Sequence, residues 1–158
     1  CALERVALID CTLEHCDCSN TAMPKATLQR TSLTDCKLVG ATLSEAFLLD
    51  AEFNACVARY LNLSFSKLRH VRFSGCDLAS SALSSCALAK TTFERCQLTR
   101  AELFQTLFSG VDLSDSDISG VAINGGELRG ARVNIQQAAQ LGQLLAGVIL
   151  QESLPSRD

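Results

Sequence analysis

The chain repeats a pattern every five residues from Cys1 to Ile135. When residues 1–135 are divided into 27 blocks of five, the third residue of every block is apolar and the first is almost always small. Because 47% of all residues are apolar, chance would produce this series with a probability of about 10⁻⁹. A period of five fits neither the 3.6-residue repeat of a helix nor the two-residue repeat of a strand. The pattern therefore predicts a solenoid, whose stacked coils share one core.

A second, longer period indicates how many blocks form one coil. Residues one coil apart in stacked strands lie about 4.8 Å apart, so that like residues form ladders and opposite charges pair. Coils of four blocks, and not of three or five, bring the recurring residues of this sequence into register. These series are Cys16, Cys36, Cys56, Cys76 and Cys96, then Phe53, Phe73 and Phe93, and the charged pairs Asp10 with Arg30, Asp17 with Lys37, Lys25 with Glu45 and Glu52 with Arg72.

The succession of blocks that open with Ala, Cys, Ser or Thr and carry Leu or Phe at the third position resembles the pentapeptide-repeat family. The resemblance implies an all-β fold, a right-handed quadrilateral β-helix, over residues 1–135. At four blocks a coil, we expect 27/4, or 6.75, coils and a rod roughly 32 Å long. Ala58 is small for an inward position and Leu61 is large for a small one, so a local bulge is also expected there.

The tail after residue 135 follows a different pattern. Asn134 and Gln137 resemble a capping box, and Gly147 is a plausible helix stop. We therefore predict a capping and dimerisation segment over residues 136–150, consisting of a helix and a last short strand, followed by a frayed tail over residues 151–158. The chain opens on a cysteine without an initiator Met, so we expect it to be a fragment of a longer protein.

Eight of the nine cysteines occupy the first, small position of a block. An inward-facing thiol behaves as a small hydrophobe, and stacked Cβ atoms about 4.8 Å apart are too distant for an unstrained disulfide. We expect buried, reduced thiols and hence a cytoplasmic protein. The cluster of Cys11, His15, Cys16 and Cys18 lacks the spacing of a zinc knuckle, so no metal or other cofactor is predicted.

The sequence does not favour an enzyme or a membrane protein. The two histidines, His15 and His70, are separated by almost three coils of the predicted solenoid, so they cannot share one catalytic centre. A glycine-rich phosphate loop is missing. The longest apolar run, from Leu144 to Leu150, is too short to span a membrane.

Charge is distributed unevenly along the chain. Residues 1–55 carry eight acids and four bases, or −4; residues 56–100 carry two acids and seven bases, or +5; and residues 101–158 carry seven acids and three bases, or −4. The basic middle lacks interleaved aromatics, so direct binding of nucleic acid is not expected. Near the tail, an acidic patch forms a candidate partner-binding site: Asp112, Asp115 and Asp117.

The tail also resembles that of the quinolone-resistance (Qnr-like) pentapeptide-repeat proteins. The shared positions are Val133, Gln137, Ala138, Leu141, Leu145 and Gly147. In that subgroup the tail pairs two subunits, and the dimeric rod imitates duplex DNA and protects DNA gyrase or topoisomerase IV from quinolones. The resemblance implies a homodimer through Leu141, Leu144, Leu145, Val148 and Ile149. The alternative is a structural or protein-interaction scaffold without a topoisomerase role.

Overall fold

The computed structural model describes residues 2–146, which form short strands followed by one helix. Each strand occupies the middle three residues of a block, with its central side chain directed into the core in most coils. Helix α1 spans Ile135–Ala146. The ten strands are β1 (Ala7–Ile9), β2 (Thr12–Glu14), β3 (Thr27–Gln29), β4 (Ser32–Thr34), β5 (Phe47–Leu49), β6 (Glu52–Asn54), β7 (Lys67–Arg69), β8 (Arg72–Ser74), β9 (Ala87–Ala89) and β10 (Thr92–Glu94).

The strands build two parallel sheets on adjacent sides of a four-sided coil. One sheet has the order β1-β3-β5-β7-β9, and the other β10-β8-β6-β4-β2. Every strand pairs with its equivalent in the neighbouring coil, as Leu28 does with Leu48. The remaining two sides are connected by single bridges, such as Ala22 to Thr42 and Lys37 to Val57. The predicted β-helix with four blocks in each coil is confirmed.

The predicted count of 6.75 coils is too high for the strand-paired solenoid. Each sheet contains five strands, one in each coil, so the solenoid makes about four turns between the first strand and the last. The last strand, β10, ends at Glu94. Beyond Glu94 the coils continue through isolated bridges, the last of which joins Asp112 to Arg132. Five of the nine glycines lie between residues 110 and 130. All of them except Gly126 occupy the fifth, corner position of their blocks, so they do not account for the end of the two sheets.

Large apolar side chains fill the interior as ladders. The rings of Phe53 and Phe73 stack with centroids 4.8 Å apart, and those of Phe73 and Phe93 stack at 5.0 Å. Ala58 and Leu61 are both buried, and the backbone N–H of Ala58 donates to the next coil at 2.8 Å without an interruption of register. The expected bulge is therefore wrong, because the small residue leaves room for the large one.

The chain turns at the fifth residue of each block, and from Arg5 to Gly130 all of these residues except Asp115 adopt a left-handed conformation. Bulky side chains share this conformation, with φ of 60° at Tyr60 and 62° at Phe65. Such a φ carries a steric cost for residues that have a Cβ atom. The cost is tolerated because the N–H of most corner residues pairs with the next coil, as Tyr60 does with Ala79.

Ion pairs between coils follow the predicted register only in part. Arg30 donates to both carboxylate oxygens of Asp10, one of them at 3.0 Å, as the spacing of one coil predicts. Arg72 donates to Glu94 at 2.8 Å, not to Glu52, which faces it on the neighbouring strand. A long guanidinium can reach either neighbouring coil, so sequence spacing alone does not determine its partner.

The cysteine ladder is buried except in the first coil. Cys36, Cys56, Cys76, Cys86 and Cys96 are buried, whereas Cys11, Cys16 and Cys18 are partly exposed. Buried thiols donate to backbone carbonyls, as Cys86 does to Leu63 at 3.0 Å. Burial raises the pKa of the Cys86 thiol to about 11. The prediction of buried thiols thus holds for the inner coils and is wrong for Cys11 and Cys16.

Thiol labelling of the native protein should separate these two groups. At pH 8 we expect a maleimide to modify Cys11, Cys16 and Cys18 within minutes, and Cys36, Cys56, Cys76, Cys86 and Cys96 at least a hundredfold more slowly, because only the exposed thiolate reacts. Mass spectrometry of tryptic peptides measures each rate, and labelling in urea provides the control. Equal rates for both groups without denaturant would contradict the inward placement of the ladder.

Candidate protein-interaction site

Helix α1 begins with a reciprocal capping box. The backbone N–H of Gln137 donates to the Asn134 side-chain oxygen at 2.8 Å, and the Gln137 side-chain oxygen accepts from the Asn134 N–H at 2.8 Å. Two backbone donors of the first helical turn are thereby satisfied. The capping box predicted from the sequence is confirmed, and the helix begins at Ile135, directly after Asn134.

The same glutamine attaches the helix to the last coils of the solenoid. Gln137 is only 4% exposed, and its amide nitrogen donates to the carbonyl of Leu113 at 2.7 Å and to that of Ser116. Asn134 adds a hydrogen bond to the carbonyl of Ser114 at 2.8 Å. Asn134 and Gln137 thereby hold the start of the helix against residues 113–116 of the solenoid.

Two of the three predicted acidic residues have fixed, ionised carboxylates. Asp112 accepts from the hydroxyl of Ser114 at 2.6 Å and from its N–H at 2.9 Å, and Asp117 accepts from Ser119 at the same two distances. The side-chain hydrogen bond, followed by the backbone one, lowers the pKa of each carboxyl below its usual value. Both residues are exposed and carry a full negative charge at neutral pH.

The structure brings the acidic residues next to the helix. Asp115 and Asp117 line a surface groove together with Gln136 and Gln140 of α1. Asp112 lies farther from the helix, in register with Arg132 on the neighbouring coil, whose charge contributes to the lowered pKa of Asp112. The acidic lining of the groove beside the helix is therefore formed by Asp115 and Asp117.

The predicted dimer residues divide into two groups on the helix. Leu141 packs against the core of the solenoid, whereas Leu144 and Leu145 are 53% and 48% exposed. Leu144 and Leu141 line an apolar groove with Ile118 and Val121 of the last coils. Val148 and Ile149, the predicted last strand and the frayed tail lie outside the described residues.

Sequence reasoning missed the structural role of Glu127. This residue is 5% exposed, and one carboxylate oxygen accepts from the N–H groups of Asn124 at 3.0 Å and Gly125 at 2.9 Å. Burial opposes ionisation, but these backbone hydrogen bonds outweigh it and lower the pKa of the Glu127 carboxyl. The signal in the sequence was a charged residue directly after two glycines. Glu127 is the second residue of its block, and the second residues of the other described blocks are exposed or partly exposed.

Catalytic and metal-binding arrangements are not seen within residues 2–146. His15 and His70 both lie exposed at corners, and no three His, Cys, Asp or Glu side chains of this region converge as metal ligands would. In the same part of the chain, no helix has both the length and the apolarity needed to cross a membrane.

A four-sided parallel solenoid with an inward apolar residue in every block of five defines a class of repeat protein. The family profile for a pentapeptide repeat region matches residues 6–83, and the profile for pentapeptide repeats in eight copies matches residues 76–115 and 96–134. The chain belongs to the pentapeptide-repeat family. The comparison with curated protein sequences found no match.

Similar solved structures also come from pentapeptide-repeat proteins. QnrB1, a plasmid-mediated fluoroquinolone resistance protein, is 16% identical in its trypsin-treated form, with 96% of this chain and 100% of that chain covered and a TM-score of 0.29. Rfr23 from the cyanobacterium Cyanothece 51142 is 18% identical over 84% and 91% of the two chains, with a TM-score of 0.30. HetL, which is involved in heterocyst differentiation regulation in a Nostoc cyanobacterium, is 17% identical over 84% and 89%, with a TM-score of 0.25.

Proposed function

We propose that this protein is a non-enzymatic, dimeric rod that binds a type II topoisomerase in the cytoplasm and protects it from quinolone-type poisons. The proposal rests on one juxtaposition: Asp115 and the fixed carboxylate of Asp117 line a groove with the helix that exposes Leu144 and Leu145. It is supported by the likeness of the tail sequence to the quinolone-resistance subgroup. In a tail-to-tail dimer, the two acidic ends would meet at the centre of the rod.

Overall charge cannot be the basis of DNA mimicry in this rod. Duplex DNA carries a charge about every 1.7 Å, or roughly 11 charges over the about 19 Å of four turns, whereas this chain has a net charge of −3. The interaction would depend on the shape of the solenoid and on the local acidic patch. DNA gyrase is the preferred partner in this proposal, and topoisomerase IV is the second.

Dimerisation through the helix is testable on its own. At micromolar concentration we expect the full chain to sediment as a dimer, because exposed leucines next to an apolar groove favour an interface. The double variant Leu144→Glu/Leu145→Glu should sediment as a monomer with unchanged circular dichroism. The matched control is Phe65→Glu/Val57→Glu, which places the same charges on exposed apolar residues of the shaft. A monomeric wild type would contradict the proposed interface.

Protection of the enzyme is measured in a gyrase cleavage assay with ciprofloxacin. Wild-type protein should suppress quinolone-induced cleavage, and Asp112→Asn/Asp115→Asn/Asp117→Asn should need about tenfold more protein for half protection, because three exposed charges contribute modestly and are screened by salt. Asparagine keeps the acceptor oxygen that Ser114 and Ser119 use, so the turns should persist. The matched control removes three other exposed acids: Asp35→Asn, Glu45→Gln and Asp50→Asn.

The outcomes separate the function from its mechanism. If wild type gives no relief at any concentration, the topoisomerase function is wrong, and the scaffold interpretation replaces it. If the triple variant protects as well as wild type, only the role of the acidic patch is wrong. If the control triple variant loses protection equally, the effect reflects net charge and not this site.

A further inference from the structure

The proposed function leaves the basic middle of the chain without a role. The structure gathers three of its cations on one side of the rod. Lys67 and Arg69 point outward from β7, and Lys90 follows β9 at the adjacent corner. All three are exposed, and within residues 2–146 none of them forms an ion pair. They are thus free to contact an external anion.

Two exposed phenylalanines border these cations. Phe47 on β5 stands in direct register with Lys67 on β7, and Phe65 precedes Lys67 by two positions. Their side chains are 40% and 66% exposed, in contrast to the phenylalanines stacked in the core. A single exposed ring is ordinary on a protein surface, but two rings that flank a group of unpaired cations form a mixed aromatic and basic patch.

The shape of this patch limits the kind of ligand. Its strands lie about 4.8 Å apart, and outward residues on one strand are about 6.6 Å apart. Ala87 and Ala89 on β9 stand in register with Lys67 and Arg69, so nothing bulky covers the upper part of the sheet. A face as open as this one does not enclose a small molecule. It can contact an extended polymer that carries repeated negative charges.

Acidic residues define the lower border of the patch. Glu45 lies beside Phe65, and Asp50 lies one coil below His70 in the register of the solenoid. The attractive area for an anion therefore runs from the two phenylalanines upward past Lys67 and Arg69 to Lys90. An anionic polymer would be directed along this line and away from the acidic coils on either side.

We infer that the outer face of β5, β7 and β9 binds single-stranded nucleic acid. Lys67, Arg69 and Lys90 would contact backbone phosphates, and Phe47 and Phe65 would provide surfaces on which bases stack. The sequence alone predicts no such binding, because the basic middle lacks interleaved aromatics. The winding of the coils, however, places Phe47 beside Lys67. This inference does not rest on the proposed topoisomerase role, which uses the opposite charge at the C-terminal end of the rod.

The test is fluorescence anisotropy of fluorescein-labelled dT20 with the full chain between 50 and 200 mM NaCl. Three neutralised phosphates predict a slope of about −2 for the logarithm of the binding constant against that of salt concentration. The variant Lys67→Gln/Arg69→Gln should reduce the slope to about −0.7. The variant Phe47→Ala/Phe65→Ala should weaken binding about tenfold or more at an unchanged slope.

A matched control carries the same charge change on a different side of the coil. Lys37→Gln/Arg100→Gln should bind dT20 like wild type. The inference is overturned if wild type shows no saturable binding at 50 mM NaCl, if the control weakens binding as much as the patch variant, or if removal of both rings has no effect. It is also overturned if poly-glutamate binds as tightly as dT20, which would indicate an acidic protein surface as the partner. The salt dependence of binding is measured on the wild-type protein, so this part of the test does not depend on whether a variant folds.

Discussion

Phe73→Asp is expected to abolish folding. The side chain of Phe73 is completely buried, and its ring lies between those of Phe53 and Phe93 at centroid distances of 4.8 and 5.0 Å. Loss of a buried phenylalanine side chain costs about 3–5 kcal/mol, and burial of an unpaired carboxylate adds several more. The sum is comparable to the whole stability of a domain, which is about 5–15 kcal/mol. Circular dichroism and urea denaturation of the purified variant measure the loss.

Two controls make the result specific to the core. Phe73→Leu keeps an apolar side chain in the ladder and should fold with a lowered urea midpoint. Phe47→Asp introduces the same carboxylate at an exposed phenylalanine and should leave the stability within about 0.5 kcal/mol of wild type. A Phe73→Asp protein with native circular dichroism and an unchanged midpoint would show that the third residues of the blocks do not form the core.

Gln137→Leu should give the second largest loss, localised to the end of the solenoid. Leucine has nearly the same size but can neither donate nor accept, so the Ser116 carbonyl and the Asn134 N–H lose their partner, whereas the Leu113 carbonyl keeps the N–H of Ser116. The unpaired carbonyl costs about 1–3 kcal/mol and the lost half of the capping box about 1 kcal/mol, which predicts a total of about 2–4 kcal/mol. Urea denaturation at constant m-value measures the change.

The neighbouring glutamine provides the matched control for this variant. Gln136 is exposed on the same turn of α1, so Gln136→Leu should change stability by less than about 0.5 kcal/mol. Limited proteolysis should cleave the tail of the Gln137→Leu protein before that of the control. Equal stability of the two variants would mean that the helix is not held on the last coil by Gln137.

Much of the fold was predictable because each coil repeats the same local physics. The third residue of every block is apolar for one reason, burial in the shared core, and the recurrence of Phe53, Phe73 and Phe93 once in each coil predicts their stacking. The capping box of Asn134 and Gln137 was predictable because both partners lie within one helical turn. In each case the relevant contact follows from a fixed spacing in the chain.

Features that depend on compensation between side chains were not predictable in the same way. The expected bulge near Ala58 did not occur because its small volume offsets the large one of Leu61. The strand ladders end after β10 although the block register continues, and the five-residue pattern does not mark that end. Glu127 is held by backbone donors of a turn that the five-residue pattern does not describe. The exposed patch around Lys67 is completed by the winding of the coils, which adds Phe47 and Lys90 to the sequence neighbours Phe65, Lys67 and Arg69.

The end of the repeats could have been predicted from the residues at the corners of the coils. The fifth residues adopt positive φ from Arg5 to Gly110, and β-branched residues are disfavoured in that conformation. The first β-branched residue at a fifth position is Ile135, the residue at which α1 begins. The end of the repeats is therefore marked by the loss of a residue type that can form a left-handed corner.

Because the five-residue register is unbroken, the place of each side chain on the surface of the rod is determined by the number of blocks that precede it. Because four blocks make one coil, removal of a single block would turn every downstream side chain by a quarter revolution about the axis. Removal of four blocks would keep each side chain on its own side and shift it by one step of about 4.8 Å. Changes in length can therefore relocate the acidic end relative to the basic face only in such increments, so the spacing between two binding surfaces on this scaffold is adjustable in steps and not continuously.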